Sequence, residues 1–287
     1  MADGTTFKID GRDVVAKRGQ TILQAAMDQD IYIPYLCYYP KMKPQGSCRA
    51  CMVEVEANGR KMTVASCTTP PMPDAEVTTN SAAVQDLRRN VIELLMTEHP
   101  HGCLTCHRIE LCGPQDICQR HVTVTDRCTI CPKNERCELK DTVRLVELDL
   151  RTPLNYHRRD LPIHSDDPFY DRDYNLCIVC SRCVRVCDEV RFDTALTLTS
   201  RSGVALVGTA HGTSLLESGC EFCGACVDVC PTGSLTERNY KWEKSVKEVT
   251  TVCTNCPVGC QMIAEVNKFG KVVRFKADLA GAANNGQ

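Results

Sequence analysis

The sequence predicts an α+β protein built from several small domains that metal holds together, with no single large core. Three observations carry that expectation. Cysteine fills 22 of 287 positions, mostly in C-x2-C spacing. Aromatic residues make up only 5% of the chain, with one Trp and six Phe, against 43% hydrophobic residues in all. Such a composition suits small cores that need staples. Short strand-like runs crowd the first 81 residues, and one strong helical period follows at 84–96. The opening residues, Met-Ala-Asp-Gly-Thr-Thr-Phe-Lys, show no basic and apolar leader. We therefore expect a cytoplasmic location, where disulfides are rare and clustered cysteines read as metal ligands. No apolar run reaches membrane-spanning length. The net charge of −2 gives no footprint for nucleic acid.

Residues 1–81 form the first expected domain. Phe7-Lys8-Ile9 and Val14-Val15 read as two short strands. Thr21 to Asp28 reads as a short helix with Thr21 as N-cap. Met52-Val53-Glu54-Val55-Glu56 and Met62-Thr63-Val64 read as a hairpin turning at Asn58-Gly59. Two strands, a helix and a hairpin make a β-grasp order. Its cysteines, Cys37, Cys48, Cys51 and Cys67, follow C-x10-C-x2-C-x15-C, with Gly46 letting the backbone pass close to the metal. Plant-type ferredoxins use C-x4-C-x2-C. The longer first gap resembles the N-terminal [2Fe–2S] domain of the large iron–sulfur subunit of complex I and of many hydrogenase and formate dehydrogenase subunits. That resemblance implies one [2Fe–2S] cluster on these four residues.

Residues 82–140 form a helical module. Val84, Leu87, Val91, Ile92 and Leu95 make an apolar stripe at helical spacing. Pro100 disfavours helix at the residue before it, so the helix should end by His99. His99, Cys103, Cys106 and Cys112 then read H-x3-C-x2-C-x5-C. This resembles the [4Fe–4S] site with one histidine and three cysteine ligands in the same family. His101 is the rival ligand and His107 a weaker one. Cys128, Cys131 and Cys137 repeat the C-x2-C-x5-C phase, but Val124 stands where a histidine would be. With Cys118 they suggest a duplicated module holding a further [4Fe–4S] cluster. A zinc site on the same four thiolates is the alternative.

Residues 141–240 form the third expected domain. Asp141 to Asp173 carries no cysteine and reads as a connector, with Arg158-Arg159 on a solvated loop. Cys177, Cys180, Cys183 and Cys187 read C-x2-C-x2-C-x3-C, and Cys220, Cys223, Cys226 and Cys230 repeat the run. That is the bacterial ferredoxin spacing, in which the fourth cysteine of each run serves the other run's cluster. So Cys177, Cys180, Cys183 and Cys230 are assigned to one [4Fe–4S] cluster, and Cys187, Cys220, Cys223 and Cys226 to another. Pro231 follows the second run, whereas Asp188 follows the first. The insertion 188–219 carries an expected strand pair, at 194–199 and 204–207, and resembles the insertion in the hydrogenase and complex I relatives.

Residues 248–287 hold Cys253, Cys256 and Cys260 in C-x2-C-x3-C, followed by an expected hairpin, 261–266 and 271–275. This resembles the start of the [4Fe–4S] domain of molybdopterin-dependent oxidoreductases of the formate dehydrogenase and nitrate reductase superfamily. There a fourth cysteine follows the hairpin. None precedes Gln287, so a fifth [4Fe–4S] cluster would be completed beyond that residue or by another chain. A Mo/W-bis-molybdopterin cofactor would belong to a further domain or a partner.

These assignments use all 22 cysteines and leave none as a nucleophile. No Rossmann, flavin or P-loop fingerprint is present, and Gly203, Gly208 and Gly212 match no dinucleotide motif. No catalytic residue is assigned. The family resemblance covers nearly the whole chain. It implies an electron relay between a flavin/NAD(P)-binding subunit, with its small [2Fe–2S] subunit, and a molybdopterin formate dehydrogenase-type unit. A complex I large subunit or a hydrogenase relay subunit is the nearest alternative. A zinc-built scaffold is the alternative from another class.

Overall fold

Two chain reversals with left-handed residues at both central positions organise the first sheet. Asp10-Gly11 turns β1 (Thr5–Ile9) into β2 (Arg12–Ala16), and Asn58-Gly59 turns β3 (Met52–Ala57) into β4 (Arg60–Ala65). Such turns match the natural twist of paired strands. The computed structural model describes residues 4–113, 115–118, 128–148, 154–200, 203–210 and 212–284. It divides into two units: Met1–Tyr38 with Lys43–Ile109 and Glu138–His157, and Tyr39–Met42 with Glu110–Cys137 and Arg158–Gln287.

In the first unit, β5 (Glu76–Thr78) joins the two hairpins. It runs parallel to β1 and antiparallel to β3, giving the order β2-β1-β5-β3-β4. The helix α1 (Ile22–Met27) starts at a capping box between Thr21 and Gln24, which satisfies two otherwise orphaned donors. It buries Ile22, Leu23, Ala25 and Ala26 against Phe7, Ile9, Val14, Val53, Val55 and Val77. This is the expected β-grasp arrangement. The strand β5 was not foreseen.

The helix α2 (Ala82–Met96) is capped by the Ser81 hydroxyl, which accepts from the Val84 N–H. Its buried face is Val84, Arg88, Ile92 and Met96. The expected stripe is therefore corrected: Leu87, Val91 and Leu95 are half-buried flanks, and Arg88 takes the centre. The helix α3 (Glu138–Leu145) buries Leu139 and Val143, and occupies the start of the expected connector. Pro153 of that connector lies outside the described residues.

The second unit carries a sheet of β6 (Ile163–His164), β7 (Tyr170–Asp173) and β10 (Leu235–Glu237), with β7 central. Between β7 and β10 run two short helices, α4 (Arg182–Arg185) and α5 (Ala225–Asp228), and a small hairpin of β8 (Thr197–Thr199) and β9 (Leu206–Gly208). The hairpin is the expected strand pair with later starts. A second sheet, β11 (Lys247–Val252), β12 (Gln261–Val266) and β13 (Val272–Ala277), contains the expected last hairpin plus an unforeseen strand. The expectation for Arg158-Arg159 is corrected in part. Arg158 pairs with Asp160 on the surface, but Arg159 turns inward and donates to the carbonyls of Tyr174, at 3.1 Å, and Cys177, at 2.6 Å.

Among the described residues no helix is long and apolar enough to cross a membrane.

Candidate iron–sulfur centres

The loop between α1 and β3 brings Cys37 and Cys48 together, and the ends of β3 and β4 bring Cys51 to Cys67. Three of these thiols are fully buried, and Cys48 is half-buried. The Cys37 N–H donates to Cys48 Sγ at 3.4 Å. The Cys48 thiol holds Cys37 down to about 5, and the Cys67 thiol holds Cys51 down to about 7. In each pair the partner is pushed the other way by the same sulfur–sulfur interaction. Four sulfurs held two by two in an apolar wall fit a two-iron centre. Gly46 has a left-handed φ of +69°, and a Cβ there would lie 3.1 Å from Thr68 Cγ2.

The two ferredoxin-type runs fold as near copies. Val179 and Phe222 stand before the second cysteine of each run, and both are left-handed, with φ of 53° and 54°. Ser181 and Gly224 follow it, at 56° and 81°, and start α4 and α5. Such backbone is costly for a β-branched or bulky residue. It turns the Val179 N–H onto Cys177 Sγ and the Phe222 N–H onto Cys220 Sγ, both at 3.3 Å. The repeat in sequence thus becomes a repeat in amide-to-sulfur geometry.

Two small cavities result. Cys177, Cys180, Cys183 and Cys230 line the first, with Val207 and Leu235. Cys187, Cys220, Cys223 and Cys226 line the second, with Leu196 and Leu215. Each cavity therefore holds three thiols of one run and the fourth of the other. Cys187 reaches across because α4 continues as one π-helical turn, Val186–Val190. Burial pushes Cys180 up to about 12, and Cys183 and Cys226 well above their usual range. Thiolates are therefore stable in these apolar cages only around multivalent cations, which is the chemistry a [4Fe–4S] cluster supplies.

His99 is buried just past α2, and its Nδ1 lies 2.8 Å from the Pro100 carbonyl. A carbonyl only accepts, so Nδ1 carries the proton and Nε2 the lone pair. His101 has the same tautomer, with Nδ1 on the Met96 carbonyl at 2.9 Å, and its ring edge meets Tyr156. His107 is exposed. Cys103 and Cys106 follow in tight turns, with the Cys106 N–H donating to the Cys103 carbonyl. Cys112 falls in the second unit, where it lines a groove together with Cys131.

In the repeated module, short turns at Cys128–Ile130 and Asn134–Arg136 carry Cys128, Cys131 and Cys137. The Thr129 hydroxyl and the Asn134 side-chain oxygen are buried there with no hydrogen-bond partner among the described residues. Orphaned polar atoms beside thiols fit a site that a cluster completes. Cys118 does not line the groove that holds Cys112 and Cys131. Residues 119–127 lie outside the described residues. Cys253, Cys256 and Cys260 share the loop between β11 and β12, which the Cys253 N–H closes onto the Cys260 carbonyl at 2.8 Å. Among the described residues no three His, Cys, Asp or Glu side chains are arranged around a single-ion position.

Sequence reasoning missed Arg88, Lys133, Arg159 and Arg182. Each is a cation whose partners are main-chain carbonyls near cysteines. Nothing in their local spacing marks them.

The folds and sites define a chain of several iron–sulfur cluster-binding domains. Four family models match it. A 2Fe-2S iron–sulfur cluster binding domain covers residues 2–82, and an NADH-ubiquinone oxidoreductase-G iron–sulfur binding region covers 88–123. The ferredoxin-like domain of NADH-quinone oxidoreductase subunit 3 covers 167–236, and a molybdopterin oxidoreductase Fe4S4 domain covers 246–287. The chain is 32% identical over 283 residues to the NADPH-Fe(3+) oxidoreductase subunit alpha of Geobacter sulfurreducens, covering 95% of this chain and 29% of that protein. It is 35% identical over 243 residues to the NADP-reducing hydrogenase subunit HndD of Solidesulfovibrio fructosivorans, covering 83% and 37%. A chain in the crystal structure of an NAD+-reducing [NiFe]-hydrogenase in the H2-reduced state superposes with a TM-score of 0.63 and 27% identity, covering 82% of this chain and 87% of that one. The chain thus spans about a third of the length of the two curated relatives.

Proposed function

We propose that the chain relays single electrons between a flavin subunit acting on NAD(P) and a molybdopterin (Mo/W) catalytic unit of the formate dehydrogenase type. Its ligands would be Cys37, Cys48, Cys51 and Cys67 for one [2Fe–2S] cluster. His99 with Cys103, Cys106 and Cys112, and Cys118 with Cys128, Cys131 and Cys137, would each hold a [4Fe–4S] cluster. The two four-thiol cavities would hold two more. Cys253, Cys256 and Cys260 would need a fourth ligand from outside the described residues. The clusters, when bound, supply reversible one-electron storage. The chain's own residues bury them, offer amide donors to their ligands and keep water away.

The observation that carries this reading is the pair of cavities, each lined by four cysteines drawn from both runs. The match of 246–287 to a molybdopterin oxidoreductase domain supports the choice of catalytic unit. A complex I or hydrogenase assembly is the second reading, favoured by the similarity to subunits of NADP-reducing and NAD+-reducing hydrogenases. The cytoplasmic location belongs to the same proposal.

The test is anaerobic purification from the native source. The relay predicts a brown protein with equal iron and sulfide, about 18 irons per chain, or 22 with the last site filled. Co-purifying molybdenum or tungsten and formate-dependent reduction of NAD(P) support the formate reading. Their absence, with quinone reduction or hydrogen uptake instead, supports the second. Zinc without sulfide refutes both.

A further inference from the structure

Lys133 lies in a polar turn, Pro132-Lys133-Asn134-Glu135-Arg136, where a solvated side chain is the ordinary outcome. It is 2% exposed. Its ammonium donates to the carbonyls of Val227 at 2.8 Å and Cys230 at 3.0 Å. Its own N–H interacts with the Cys131 sulfur. One residue thus ties the repeated module to the segment that delivers Cys230 to the first cavity.

Two other cations approach the same cavity from different elements. Arg159 donates to the Cys177 carbonyl at 2.6 Å, and Arg182, fully buried, donates to the Val229 carbonyl at 3.3 Å. The second cavity is dressed differently. Arg191 and Asp193 line it, and Arg191 also faces Glu221 at 3.5 Å. Opposite charges there largely cancel, whereas at the first cavity three cations bind main-chain carbonyls of the segments that carry its cysteines, with Asp228 and Glu237 the acids that face Lys133. Burying an ammonium costs several kcal/mol unless negative charge or dipoles answer it. Two carbonyls answer Lys133 directly and the carboxylates of Asp228 and Glu237 at longer range, and a cluster with four thiolate ligands would add to them.

We propose that Lys133 is a positioning residue for the centre assigned to Cys177, Cys180, Cys183 and Cys230. With Arg159 and Arg182 it makes that centre the higher-potential member of the pair. Positive charge nearby favours the reduced, more negative state of a cluster. The inference rests on the cluster assignment given under the proposed function.

The experiment is an EPR-monitored redox titration of the full-length, anaerobically purified chain. Cys183→Ser identifies the signal of the first centre by its loss. In the unsubstituted protein that signal should titrate above the one lost in Cys226→Ser. In Lys133→Met, the ratio of reduced to oxidised first centre at fixed potential should fall about tenfold, a shift of about 59 mV for one electron. Lys133→Arg should restore it, and the second centre should not move. Arg159→Met should shift the first centre the same way, and serves if Lys133→Met does not hold its iron. An unmoved potential with full iron, or an equal shift in both centres, overturns the inference and leaves the cluster assignment standing. A Cys183→Ser variant that loses no iron overturns the assignment, and the inference with it.

Discussion

Arg88 grips the chain on both sides of Cys51: its Nε donates to the Ala50 carbonyl at 3.0 Å and its Nη2 to the Met52 carbonyl at 2.5 Å. Burial draws this guanidinium down to about 10, and the nearby Cys51 sulfur opposes that shift. The side chain therefore fixes the loop that carries Cys51 from the buried face of α2. Arg88→Met should leave two buried carbonyls unanswered and cost about 2–4 kcal/mol. Chemical denaturation of the iron-loaded chain, followed at the [2Fe–2S] absorption, measures this. Unchanged stability with the full visible spectrum would refute the role.

Asp167 and Arg172 form a fully buried ion pair at 2.9 Å. The second oxygen of Asp167 accepts from the Leu215 N–H at 2.8 Å, so the pair also holds the end of the insertion against the second cavity. Asp167→Ala should destabilise the unit by about 3–5 kcal/mol, because it strands a buried guanidinium. The double variant Asp167→Leu with Arg172→Met should recover much of that loss. Urea unfolding of Asp167→Leu, Arg172→Met and the double variant checks the non-additivity. An additive double variant would show that the pair is not acting as a unit.

How far the sequence reveals this molecule follows from the range of each interaction. The cysteine runs state their own geometry, because C-x2-C-x2-C-x3-C sets which thiols one turn can bring together. Asn58-Gly59 and Thr21 likewise name local structures that formed. The strand β5 was hidden because its three residues gain meaning only by pairing with β1 and β3. Arg88 was passed over because hydrophobic periodicity counts arginine as surface, and its carbonyl partners lie 36 and 38 positions away. Lys133 reaches 94 and 97 positions for the same kind of partner. Long-range pairing between a cation and main-chain carbonyls leaves no period to read.

Gly233 shows why the repeated module and the ferredoxin-type runs must fold together. A Cβ at this position would overlap Cys131 Sγ and lie 3.1 Å from Leu176 Cδ1. Neither neighbour is the free end of a long polar side chain, since one is the sulfur of an assigned ligand and the other a half-buried leucine. Gly233→Ala should therefore displace Cys131 and cost the protein one cluster, about four irons per chain. Iron and sulfide analysis gives the count, and the EPR signals of the two cavity centres give the control. Retention of all the iron would show that Cys131 is not a ligand in the position seen.

The choice between His99 and His101 can be settled by potential rather than by geometry alone. Both present Nε2 as the lone pair, because both turn Nδ1 to a carbonyl. They differ in surroundings: His99 is 6% exposed, whereas His101 sits half-buried against Tyr156. A buried neutral imidazole replaces one thiolate charge, and this should raise the cluster's potential. His99→Cys should keep the iron and lower the midpoint of that centre, because a fourth thiolate stabilises the oxidised state. His99→Ala should lose the centre or make it labile, with about four irons gone. His101→Ala should change neither the iron content nor the midpoint, and should cost only the hydrogen bond to the Met96 carbonyl and the ring packing on Tyr156. A redox titration of the three variants therefore separates a ligand from its neighbour: a midpoint that moves with His101 and not with His99 would transfer the assignment to His101.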